Sequence, residues 1–184
     1  MYHTLKPKIL NKSSFNYGEL FEWVKSHEII PDDKNEPFVI DSWFDINDLI
    51  PAASNFRLSI STKNLLEISK LTSHICTDTT HKVIWQGFPV YLSGTTDLER
   101  HFHPICLSIC TNEIDEDFAF VFNSIRKSMF SLFEFVYRPD TLMADAAEAI
   151  TNGFMNAFRY ESIDDFTRLQ CFPHVDRNVD IHLR

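Results

Sequence analysis

The chain has 184 residues, 44% of them hydrophobic and 14% aromatic, which suits one domain with a sizeable buried core and excludes a disordered tail. Its formal net charge of -9 argues against a firm grip on nucleic acid through the general surface, because phosphate binding draws on clustered Lys and Arg. Met1–Lys8 lacks the apolar stretch of a secretory leader, and no run approaches the roughly 18 apolar residues of a membrane span, so the expectation is a soluble intracellular chain with reduced cysteines and no membrane partner.

Taken in chain order, residues 15–24 offer a helix with Leu20, Trp23 and Val24 on one face, and residues 31–37 form a loop bounded by prolines. Residues 38–40 read as a short strand, and residues 56–61 alternate apolar and polar as a half-buried strand does. Ser61 or Thr62 can cap a helix running to Leu71. Residues 1–72 therefore read as an α+β accessory segment without recognisable chemistry.

From residue 73 the pattern is denser. A strand-like run over 74–80 carries Asp78 near its end, and it is followed by residues 82–86, a turn at Gly87, a run over 88–95 and another over 104–110. Short links between three consecutive strands predict an antiparallel meander. Thr111 or Asn112 can start a helix with Glu113, Asp115, Glu116 and Asp117 in its first turn and Phe118, Val121, Phe122, Ile125 and Met129 at helical spacing. A short apolar strand then ends at Asp145, a helix stripe runs from 146 to 158, and residues 168–172 read as a fifth strand. A helix between two strands of one sheet implies a parallel, right-handed crossover. The expected fold class is thus α/β, a ribonuclease H-like mixed five-stranded sheet with flanking helices, in which the first and fourth strands are central neighbours and Asp78 lies beside Asp145.

Two strand-end carboxylates at one rim repel each other and call for a cation; Mg2+ takes hard oxygen ligands from one or two carboxylates plus a substrate phosphate. Asp145 also has a plainer reading, as a cap on the helix that follows it. Cys76, Cys106 and Cys110 fall in strand-like runs and read as buried small hydrophobes rather than ligands. Cys171 and His174 form a lone Cys-x-x-His, two of the four ligands that a structural zinc site wants; His101, His103 and His182 are near, but no spacing requires them, so zinc is disfavoured.

In order along the chain stand Asp78-Thr79-Thr80-His81-Lys82, Trp85-Gln86-Gly87-Phe88-Pro89, Gly94-Thr95-Thr96-Asp97, Arg100-His101-Phe102-His103-Pro104, Asn112-Glu113, Ala144-Asp145-Ala146 with Ala149-Ile150, and Cys171-Phe172-Pro173-His174. Over roughly residues 74 to 180 this ordered set resembles the Mutator-like element transposases. The resemblance implies that residues 73–184 are a ribonuclease H-like catalytic core that cuts and joins DNA with three acids and two Mg2+ or Mn2+ ions. Asp78 matches the first acid and Asp145 the second. The third, a Glu on a helix beyond the Cys-x-x-His strand, is matched by no residue here; Glu113 is a substitute of second rank, and Cys171 and His174 match a signature at the edge of the active site. The expectation is therefore an incomplete core, with transposon-end DNA as the partner of the full-length protein, a nuclear location, and room for a homo-oligomer. Two other readings stay open: a non-catalytic, transposase-derived interaction domain, and a zinc-dependent binding module centred on Cys171 and His174.

Overall fold

The computed structural model describes residues 16–170 apart from 48, 50–52, 82 and 85. Its strands are β1 (Phe38–Asp45), β2 (Asn55–Ser61), β3 (His74–Thr80), β4 (Val90–Thr96), β5 (Phe102–Cys110), β6 (Thr141–Ala144) and β7 (Thr167–Gln170). Its helices are α1 (Tyr17–His27), α2 (Lys63–Ile68), α3 (Asp115–Phe133) and α4 (Glu148–Phe158). The strands build one mixed sheet in the order β1-β2-β5-β4-β3-β6-β7. β3, β4 and β5 form the expected antiparallel meander, and β3 pairs in parallel with β6, as β6 does with β7.

The sheet has seven strands, not the five expected, because the β1–β2 hairpin joins the β5 edge from Arg57↔Cys110 to Ile60↔Leu107. Residue burial along β2 gives the reason. Phe56 and Leu58 are buried toward one face while Ser59 and Ser61 are buried toward the other, and a strand covered on both faces belongs inside a sheet. Ser59 meets Ser108 of β5 at 2.7 Å, and the Ser61 hydroxyl donates to the Ile105 carbonyl, so the inward serines are satisfied.

One face carries the main core, where Leu66, Phe118, Phe122, Ile125 and Phe154 of the helices meet Ile75, Tyr91, Ile105 and Leu142 of the strands. On the other face α1 packs Val24 against Val39, Phe56 and Leu58. Val24 is buried as its spacing predicts, whereas Trp23 stays exposed with its ring stacked on His27. Asn16 caps α1 by accepting the Gly18 and Glu19 amides, and Thr62 caps α2 by accepting the Leu65 amide.

α3 begins at Asp115, later than expected, because Thr111 and Asn112 are already engaged elsewhere. The Thr111 hydroxyl bonds the amide and carbonyl of Phe56, and Asn112 donates to Asn55 while its carbonyl accepts the Tyr91 hydroxyl. Asp117 closes the first turn instead by accepting the Ile114 amide. α3 and α4 cross closely at Gly153, where a Cβ would lie 2.5 Å from Phe118 Cβ and 2.8 Å from the Ala119 nitrogen and the Asp115 carbonyl oxygen.

Candidate functional site

The β3–β6 ladder runs His74↔Thr141, Ile75↔Leu142, Cys76↔Met143. Along β3 the pleat turns Ile75 and Thr77 to the core and Cys76 and Asp78 to the opposite face. The rungs end at Cys76↔Met143 and β6 at Ala144, so Asp145 lies just past the strand; the same offset, if continued, would set it level with Asp78. Across the meander, Asp78 is paired with Leu92, Leu92 with Leu107, and Leu107 with Ile60, so the acid closes an apolar rung of the sheet.

Asp78 is exposed, and its carboxylate has no hydrogen-bond or ion-pair partner among the described residues. Asp145 is half-buried and not the helix cap: that position belongs to Ala147, whose amide donates to Asp145 Oδ1 at 2.9 Å. The acid therefore closes the turn leading into α4 with one of its oxygens. α4 starts at Glu148, two residues later than its apolar stripe suggests, because this turn takes up the chain between.

Arg168 of β7 locks the same turn from below. Its guanidinium donates to the carbonyls of Asp145 and Leu169, to that of Ala144 at 3.2 Å, and through Nε to the Thr151 hydroxyl at 3.2 Å. Burial lowers the pKa of this guanidinium, and the Asp145 charge opposes that shift. Two grooves lie here, and Asp78 lines the first while Asp145 lines neither. One of about 300 Å³ is lined by Cys76, Asp78, Leu92, Phe102 and Met143, and one of about 520 Å³ is lined by Ala146, Glu148, Thr151, Arg168 and Gln170.

The other predicted residues divide sharply. Glu113 follows β5, which β4 separates from β3, and its carboxylate lies 2.8 Å from Nε2 of His81, the residue just past the end of β3. Cys171 and His174 lie outside the described residues, as does the C-terminal end of the expected fifth strand. Cys106 and Cys110 are buried, with burial pushing the Cys106 thiol up to about 11, while half-buried Cys76 lies 4.0 Å from Met143 Sδ. His101 sits on the β4–β5 turn and His103 in the first residues of β5, paired with Thr95, four residues along β4 from the Thr79 partner Tyr91.

Two arrangements were not legible in the sequence. Arg168 read only as a strand residue, and its role as a clamp depends on the parallel β6–β7 pairing. Asp117 read as one of four acids in a helix start, yet it is buried and holds Arg57 of β2 at 2.6 Å. A cationic residue at the centre of an alternating strand was the available signal for that pair.

Compared with protein families, curated proteins and solved structures, the chain matches none. Among the described residues no helix is long and apolar enough to cross a membrane.

Proposed function

We propose that this chain is part of a DNA strand-cleaving core of ribonuclease H-like fold, akin to that of Mutator-like transposases, in which Asp78 and Asp145 bind divalent metal. The observation that supports this reading is the parallel β3–β6 pairing, whose offset of 67 between partners, if continued past Cys76↔Met143, would set Asp78 beside Asp145. The order β5-β4-β3-β6-β7 supports it, since the first and fourth strands of the core are neighbours there.

The donor set fits a hard dication in part. Asp78 offers an unengaged carboxylate, Asp145 keeps one oxygen beyond its turn, and two carboxylates with water and substrate phosphate satisfy the habits of Mg2+. When bound, such ions supply an activated attacking oxygen and stabilise the leaving oxygen in phosphoryl transfer. Asp78 binds from a strand interior and Asp145 from a turn held by Arg168, so the second ligand is oriented by the backbone contacts of β7. DNA in the nucleus is the proposed substrate.

A second reading has its own observation. Glu113 is engaged with His81, and among the described residues no group of three potential metal ligands includes Asp78 or Asp145, so a non-catalytic interaction domain would keep this fold without turnover. Nicking of a DNA duplex by the full-length protein with Mg2+ or Mn2+ separates the two. The catalytic reading predicts nicking that is abolished by Asp78→Asn and by Asp145→Asn with the fold retained. Nicking that survives both substitutions refutes it.

A further inference from the structure

The described helices leave part of the sheet open. α3 and α4 pack on one face, and α1 covers the opposite face over β1 and β2, where Val24 meets Val39, Phe56 and Leu58. Ile60 belongs to that covered patch, and the pairs Ile60↔Leu107, Leu107↔Leu92 and Leu92↔Asp78 carry the same face on to β3. One rung along, the face runs through Cys76, Met143 and Leu169, and the Phe102 ring lies across Gly94, the β4 partner of Cys76. Leu92, Leu107, Phe102 and Leu169 remain 38% to 43% exposed, and the groove of about 300 Å³ runs between them over Cys76 and Met143. A continuous apolar strip of this kind marks a surface that binds another segment.

We propose that residues 1–15 of the same chain dock on this strip. The place where they join the fold is the first argument. Tyr17 opens α1 with its hydroxyl donating to the Ser54 carbonyl and its ring against Phe56, which in turn meets Phe88. Phe88 leads into β4, whose first pair, Val90↔Thr80, lies two residues from Leu92↔Asp78. The segment therefore enters beside the open strip. Its extended reach of about 50 Å far exceeds the roughly 14 Å from β5 across to β6.

Composition is the second argument. The segment holds Leu5, Ile9, Leu10 and Phe15 for the apolar strip, and Lys6, Lys8 and Lys12 with no acid, in a chain whose 17 Lys and Arg face 26 Asp and Glu. The Asp78 carboxylate lines the groove and has no hydrogen-bond or ion-pair partner among the described residues, so a lysine seated there meets an unpaired charge. Residues 171–184, which continue from β7 at the far edge, carry Asp176 and Asp180 beside Arg177 and Arg184 and have no such bias. The docking stands on the open face and this charge, and needs no metal at Asp78.

Methyl NMR of the 184-residue chain in EDTA tests it, because chelation removes any divalent ion that would compete with the lysines for Asp78. The expected result is nuclear Overhauser contacts from the Leu5, Ile9 or Leu10 methyls to those of Leu92, Leu107 or Met143. Ile9→Asp with Leu10→Asp should abolish the Leu5 contacts and shift the Leu92 and Met143 methyls. Reversing the charges together, Lys6→Glu, Lys8→Glu and Lys12→Glu, should shift the same methyls. Neither variant alters a residue of the sheet, so the fold is retained in both. Strip methyls that contact residues 171–184 instead, that contact another copy in a sample of differently labelled chains, or that stay unshifted in both variants overturn the proposal.

Discussion

Replacing Gly153 by Ala tests the α3–α4 crossing that supports the rim. On a helix exposed to water, Gly→Ala stabilises by about 1 kcal/mol through backbone entropy and propensity. Here the new methyl would meet Phe118 Cβ at 2.5 Å and two backbone atoms, the Ala119 nitrogen and the Asp115 carbonyl oxygen, at 2.8 Å. Carbon contacts relax to about 3.5–4.0 Å, so the helices must part by roughly 1 Å. Two of the three obstacles belong to the α3 backbone, which no rotamer change moves aside. Parting the helices would also loosen Phe122 against Phe154, now edge to face with ring centroids 5.5 Å apart. Overpacking of this kind costs about 1–3 kcal/mol, and more where backbone must shift. With the propensity gain deducted, a net loss of about 2 kcal/mol remains, or a fall in melting temperature of about 4–8 °C at this chain length. Urea unfolding and calorimetry of the two proteins measure it. An equal or higher midpoint for Gly153→Ala would refute the close crossing.

Two further substitutions test the core chemistry. The Tyr137 hydroxyl is buried without a hydrogen-bond partner among the described residues, so Tyr137→Phe should be neutral or stabilising by up to about 1 kcal/mol in denaturant unfolding; a loss above that would mean the hydroxyl is bonded. Asp117→Ala leaves the Arg57 charge between β2 and α3 and frees the Ile114 amide, for a cost of about 3 kcal/mol, and Arg57→Met in the same protein should recover much of it. Additive losses in that double mutant would contradict the ion pair.

The strand order of the core was legible because each of its strands is a short apolar run separated by turn or helix signals, and the crossover rule then left few ways to arrange them. Membership of β1 and β2 in the same sheet was not legible. Serine reads as solvent-facing in an alternating pattern, and only the hydroxyl partners on β5 make Ser59 and Ser61 interior residues. The start of α3 differs from its local signals for a related reason: Thr111 and Asn112 are good caps locally, but their side chains are committed to neighbours more than 50 residues away in sequence. At the candidate site, Asp78 and Asp145 were legible as acids near strand ends. The Arg168 clamp and the Glu113–His81 contact were not, since both depend on which strands are neighbours.

The central claim is that Asp78 and Asp145 share divalent metal, and substoichiometric Mn2+ added to the isotopically labelled chain tests it most directly. Paramagnetic broadening in amide spectra should appear first around residues 77–79 and 145–147 and fade in Asp78→Asn and in Asp145→Asn. Broadening that spares either segment, or that persists unchanged in both variants, would contradict the account.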